Sequence, residues 1–252
     1  MPKMMCFANH KGGVAKTTSC ANIGTALAEM GRKVLLVDWD PQANLSSNFN
    51  IEADGNSIYE VACGKVKARD AIIETKEKVD ILPSHLDLCG LEVELAIKTV
   101  NREKVLAKIL AQVAEPYDYV LIDSPPSIGM LTINALAASE LVLIPVDASK
   151  WGAKSIGTII RLINDVKEVN PALRIGGVFM TKVDIRRILD RRIIELVKDS
   201  LPKNVGMFKT HIRHAITVSE SCSRERSIFS HAPNSHGAED YRKLAKEILK
   251  LK

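Results

Sequence analysis

Short apolar runs alternate with stretches of helical period almost from one end of the chain to the other. The first run is Met4-Met5-Cys6-Phe7-Ala8, and others follow at Lys33-Val34-Leu35-Leu36-Val37-Asp38, Val79-Asp80-Ile81-Leu82, Tyr119-Val120-Leu121-Ile122-Asp123, 141–146 and 175–181. Their apolar residues follow one another without polar alternation, the pattern of strands covered on both faces. Helical period predicts helices over 16–30, stopped by Gly31, then 102–114, 129–138, 152–169, 187–201 and a closing helix over 238–250. This order predicts an α/β fold with a doubly wound, mostly parallel sheet flanked by helices. Ligands of such sheets gather at the carboxyl ends of the strands. Residues 50–78 are the least regular and are expected to form short helices outside the sheet.

The chain has 252 residues, of which 46% are apolar and 26% charged. These values fit one ordinary globular domain spanning residues 1–252 and exclude a disordered or fibrous protein. The opening segment Met1-Pro2-Lys3-Met4-Met5-Cys6 has no charged leader with a cleavage site, so secretion is not expected. The longest apolar runs fall well short of the roughly 18 residues that span a bilayer. Five scattered cysteines never form a C-x-x-C pair, which indicates neither a disulfide framework nor a zinc site. The net charge is +5, and residues 182–226 alone hold 11 Lys or Arg against 6 Asp or Glu. That segment therefore accounts for the whole surplus and marks a face suited to an anionic partner.

Chemistry concentrates in His10-Lys11-Gly12-Gly13-Val14-Ala15-Lys16-Thr17-Thr18. The ordinary phosphate-binding pattern G-x-x-x-x-G-K-[ST] fails here, because His10 and Ala15 stand at its two glycine positions. A variant pattern, K-G-G-x-x-K-T, fits. The segment joins a strand to a helix, where Gly12 and Gly13 free backbone amides for phosphate and the helix adds its positive end. Lys16 is expected on the β and γ phosphates and the Thr17 hydroxyl on Mg²⁺. Two ammonium groups do not easily serve one triphosphate from one loop, so Lys11 points to a partner subunit. Asp40, within Asp38-Trp39-Asp40-Pro41-Gln42, is placed to orient water for in-line attack. Asp123, before Ser124-Pro125-Pro126, reads as an organiser of Mg²⁺.

Together these motifs resemble the ParA/MinD family of ATPases with a deviant phosphate loop, in its short, Soj-like branch. The resemblance covers nearly the whole chain, including Ile212-Arg213-His214-Ala215-Ile216-Thr217-Val218-Ser219-Glu220-Ser221 and Ser235-His236-Gly237-Ala238-Glu239-Asp240-Tyr241-Arg242. It implies a P-loop fold that closes as an ATP-sandwich homodimer with Mg²⁺, Lys11 reaching the partner's phosphates. It further implies cofactor contacts from Lys11, Gly12, Gly13, Val14, Ala15, Lys16, Thr17 and Thr18, with catalytic roles for Lys11, Lys16 and Asp40. Thr17, Asp40 and Asp123 fall to the metal, and Thr181 to Asp184 to the nucleobase edge. The family usually has glycine where this chain has Ala15, which implies a working loop with altered nucleotide affinity.

The resemblance also implies a slow, partner-stimulated ATPase that binds DNA without sequence preference and positions plasmid or chromosome cargo with a ParB-like adaptor. In the basic segment, Arg186, Arg187, Arg213 and Arg224 are the candidate DNA contacts. A MinD-like membrane role would need a bulky amphipathic tail, whereas the last residues are Lys246-Glu247-Ile248-Leu249-Lys250-Leu251-Lys252. An iron–sulfur carrier would need bridging cysteines, and a ParA-like positioner of a protein assembly stays open. The chain opens at its first strand, so no N-terminal helix-turn-helix domain is expected, and the setting implied is the cytoplasm, on the nucleoid.

Overall fold

The computed structural model describes residues 2–97 and 100–251, so Met1 and Lys252, the ends of the opening and closing segments, lie outside it. Seven strands form one sheet: β1 (Lys3–Phe7), β2 (Val34–Asp38), β3 (Ile73–Glu74), β4 (Asp80–Leu82), β5 (Tyr119–Asp123), β6 (Leu141–Asp147) and β7 (Arg174–Thr181). Their spatial order is β3-β4-β2-β5-β1-β6-β7. Every pairing is parallel except β3 with β4.

Helices α1 (Lys16–Glu29), α2 (Asn44–Ser47), α3 (Ile58–Ala62), α4 (Leu88–Ile97) and α5 (Val105–Leu110) connect the first five strands. Then come α6 (Met130–Ala137), α7 (Lys150–Val166), α8 (Ile188–Ser200), α9 (Ile216–Ser223), α10 (Ile228–His231) and α11 (His236–Ile248). The predicted helix over 102–114 is shorter than expected, a 3₁₀ turn at Arg102–Lys104 leading into α5. Within residues 50–78 the expectation is met by α3 but corrected by β3, which joins the sheet as an antiparallel edge.

The continuous apolar runs split by strand period into two layers. Cys6, Leu35, Val37, Val120 and Ile122 face one core together with α4 to α8, while Met5, Phe7, Leu36 and Leu121 face the other with α1 and α11. Both layers are dry, which is why the strands show no polar alternation. Where α1 crosses β2, a Cβ on Gly24 would stand 2.5 Å from Leu36 Cδ2. The absence of a side chain there sets the closeness of α1 to the sheet, and α1 carries the phosphate loop at its start.

Gly24→Val should therefore overpack this contact and destabilise the protein by about 1–3 kcal/mol, read as a lower denaturation midpoint at unchanged slope.

Candidate nucleotide site

Parallel pairing brings the strand ends together. Asp38 and Asp123 are register partners across β2 and β5, and Phe7 of β1 pairs with Asp123 on the other side. Over these ends lies a cleft of about 710 Å³ whose walls include Gly12, Lys16, Thr17, Asp40, Thr181 and Lys182.

The loop enters α1 in an unusual way. Its N-cap, Ala15, has φ 65 and ψ 37, makes no side-chain cap, and the first turn holds no acidic residue. The opening N–H groups of α1 are thus left without a side-chain partner, beside a cleft, at the positive end of a helix. An anion is the ligand such a terminus accepts.

Beneath it the carboxylates are buried. Asp38 accepts from the Ser46 N–H at 2.8 Å and the Ser46 hydroxyl at 2.7 Å. Burial nevertheless pushes its carboxyl up to about 6. Burial, and then the neighbouring Asp38, push Asp123 well above the usual carboxylate range, opposed by the Thr17 hydroxyl and Lys16. Both Asp123 oxygens are fully buried, and the Thr17 hydroxyl stands near them without completing a hydrogen bond. An orphaned carboxylate of this kind calls for a cation. Lys16, 6% exposed, has its ammonium pulled down by burial, an effect offset by Asp123 and Asp40.

The set fits Mg²⁺, a hard cation held by one or two carboxylates, a hydroxyl and phosphate oxygens rather than by a protein cage. Asp40 is buried beside this site, and one of its carboxylate oxygens accepts from the Gln42 N–H at 3.0 Å.

Lys11 points elsewhere. Its ammonium donates to both oxygens of Asp147 at 2.7 Å and to the Ser149 hydroxyl at 2.9 Å. In the single chain the lysine expected to reach a partner is folded onto the end of its own β6. Asp147 and Ser149 carry no motif in the sequence, and Lys182, within the 181–184 stretch given to the nucleobase edge, instead donates from its ammonium to the Gly13 carbonyl at 2.7 Å.

The base-edge candidates divide. Thr181 lines the cleft and its hydroxyl donates to the Val14 carbonyl at 3.1 Å. Asp184 is instead engaged by Arg186, whose Nε and Nη2 each donate at 2.9 Å, and lies 3.7 Å from Arg187. Arg186 holds its carboxyl down to about 2.

The candidate DNA arginines divide as well. Arg186, Arg187 and Arg224 are exposed, whereas Arg213 grips α11 through Asp240 at 2.6 Å and Glu239 at 3.0 Å. Of the four, Arg213 alone is held by a buried carboxylate: Asp240 claims its guanidinium.

Residues 2–175 match the AAA domain family. The chain is 40% identical to sporulation initiation inhibitor protein Soj of Bacillus subtilis over 252 residues, covering 98% of each. It is 39% identical to chromosome-partitioning ATPase Soj of Treponema pallidum, covering 99% of this chain and 98% of that protein. The chain belongs to the ParA/Soj family of ATPases. A solved structure, cobyrinic acid a,c-diamide synthase from Mycobacterium smegmatis with bound ADP and magnesium, superposes with a TM-score of 0.86 at 34% identity. That match covers 99% of this chain and 95% of the other.

In this ParA/Soj-family chain Arg213 is a tether, so Arg213→Met should cost about 2 kcal/mol at neutral pH, a figure discounted from that of a buried pair because the guanidinium is part-exposed. Lys243 and then Arg213 hold the Glu239 carboxyl at about 2, below its ordinary 4.5. A depressed carboxyl binds fewer protons folded than unfolded, so its stabilisation is complete above 4.5 and is lost as pH falls through 2. Thermal melts across this range should show the gap between wild type and Arg213→Met narrowing on the acid side.

Proposed function

We propose that this chain is an ATP-driven switch of ParA type: it closes as a homodimer on MgATP, binds DNA without sequence preference, and is reset by hydrolysis. The observation that carries the reading is the orphaned Asp123 beneath the uncapped start of α1, with Lys16 and Thr17 beside it. ATP hydrolysis is the activity, as its membership of this ATPase family implies, with Mg²⁺ as cofactor.

The residues divide the work. Lys16 and the N–H groups of Gly13 to Thr18 hold the β and γ phosphates, and Asp184 stands outside the cleft wall that Thr181 contributes on the base side. Thr17 and Asp123 hold Mg²⁺, with Asp40 close by; the ion supplies charge neutralisation on the phosphate oxygens. Asp40, buried at the strand end, orients the attacking water and takes its proton. Lys11 leaves Asp147 and Ser149 to reach the partner's phosphates. Ile128, Trp151, Ile185, Ile188 and Ile216, each more than half exposed, stand on segments that flank the cleft and support a second copy as the covering surface.

Exposed Arg187 and Arg224, with Arg186 beside them, meet DNA phosphates. A ParB-like adaptor accelerates hydrolysis and couples the cycle to plasmid or chromosome cargo. One ATPase domain performs all of this, in the cytoplasm on the nucleoid. Among the described residues no helix is long and apolar enough to cross a membrane.

Co-sedimentation with DNA in ATP, ADP or no nucleotide tests the switch. Wild type should pellet with ATP only, Lys11→Ala should bind nucleotide but neither dimerise nor pellet, and Asp40→Ala should pellet with ATP. Turnover of Asp40→Ala should fall by about 100-fold or more. DNA binding that ignores nucleotide, or none with ATP, refutes the reading.

A further inference from the structure

The phosphate loop has a steric difficulty at Ala15. Its φ of 65 is left-handed, a conformation that costs a side-chain-bearing residue on the order of 1 kcal/mol more than glycine. The residue follows two peptides whose carbonyls are both gripped from the end of β7. Lys182 Nζ donates to the Gly13 carbonyl at 2.7 Å, and the Thr181 hydroxyl donates to the Val14 carbonyl at 3.1 Å.

Planarity makes these two bonds directional. In a trans peptide the C=O and the next N–H point opposite ways. Carbonyls of Gly13 and Val14 drawn toward β7 therefore turn the N–H groups of Val14 and Ala15 the other way, toward the phosphate cradle. Loss of a grip lets the peptide rotate, and a carbonyl turned inward meets a phosphate with like charge. Lys182 is itself left-handed at φ 55 although exposed. An exposed lysine without a fixed task would be expected to extend into water from a relaxed backbone and keep its rotamer freedom. Left-handed backbone at the donor, Lys182, and two residues beyond the acceptor, at Ala15, marks a contact that the surrounding structure enforces.

We propose that Lys182 is a positioning residue of the nucleotide site, bracing the phosphate loop so that it functions with alanine at position 15. The proposal rests on the reading of the cleft as an ATP site and deepens it. Lys182 makes no claim on the reacting atoms; it acts through the Gly13 carbonyl and the loop's backbone donors. A lysine that merely added positive charge to the cleft would attract nucleotide equally whether alanine or glycine stood at position 15. A brace loses much of its task once Ala15→Gly removes the strain, and this separates the two roles.

The test is a double-mutant cycle between Lys182→Met and Ala15→Gly, read by calorimetric titration with MgATP and MgADP and by thermal melts without nucleotide. Lys182→Met keeps the methylene stem and removes the donor. It should weaken both nucleotides about tenfold and lower the melting temperature. In the Ala15→Gly background, the same substitution should cost no more than about twofold in affinity, and its thermal penalty should shrink.

Equal binding by wild type and Lys182→Met overturns the proposal, and so does a loss of the same size in both backgrounds. A wild-type chain that binds neither nucleotide overturns the reading of the cleft instead. The melts then decide the brace alone, with additive shifts refuting it.

Discussion

Parallel pairing forces like charges together, and the rest of the site answers that constraint. Because β2 and β5 run in the same direction in register, Asp38 and Asp123 end side by side in a dry interior. Like charges brought together in a buried site raise each other's carboxyl, and Asp38 is the second cause, after burial, of the upward push on Asp123. Asp38 is quieted by Ser46, which donates twice to it. Asp123 has no such partner and depends on Lys16, on the Thr17 hydroxyl and on whatever cation the loop brings. Nucleotide and metal binding are thus the completion of an electrostatic arrangement that the fold leaves unfinished.

The paired lysines take different positions in that arrangement. Lys16 is buried beside the carboxylates, and the cost of its burial is offset mainly by Asp123 and Asp40. Lys11 is part-exposed and bound to Asp147 and Ser149, groups outside the phosphate cradle. A side chain with a good partner in its own chain leaves it only for a better one. On the switch reading, a partner's triphosphate is that competitor, and the Asp147 contact sets a threshold which a diphosphate, with one fewer phosphoryl group, meets less well.

Much of the architecture was legible because doubly covered strands write continuous apolar runs and helices write their period. β5 matches its predicted span, and the other long strands differ by a residue or two at their ends. β3 was not legible, since two residues on an antiparallel edge carry no pattern, and α4 was overlooked despite its buried Leu88, Leu91 and Leu95. The loop and its aspartates announced themselves as motifs. Asp147 did not, and Lys182 was legible only as part of the 181–184 stretch, not as a loop contact, because each meets the loop from more than a hundred residues away. The pairing of Arg213 was hidden for a similar reason. Counting charge over 182–226 leaves out Glu239 and Asp240, the two carboxylates on α11 that claim Arg213.

The end of β7 shows why such remote contacts matter to function. Thr181 and Lys182 hold the phosphate loop, and one residue later Val183 exchanges backbone bonds with Ile212 and His214, between which Arg213 grips α11. Asp184 then orients Arg186 and Arg187, the exposed cations of the same turn. The loop that meets phosphate and the arginines on the basic face therefore belong to one bonded unit, only a few residues long on the β7 side. Contiguity alone does not transmit a signal; an element with two arrangements is also required. On the switch reading Lys11 supplies that element on the opposite side of the loop, since it would leave Asp147 at the end of β6, whose register partner on β7 is Thr181. On that reading a change in where one ammonium rests would act beside the strand end that anchors both the loop and the basic turn.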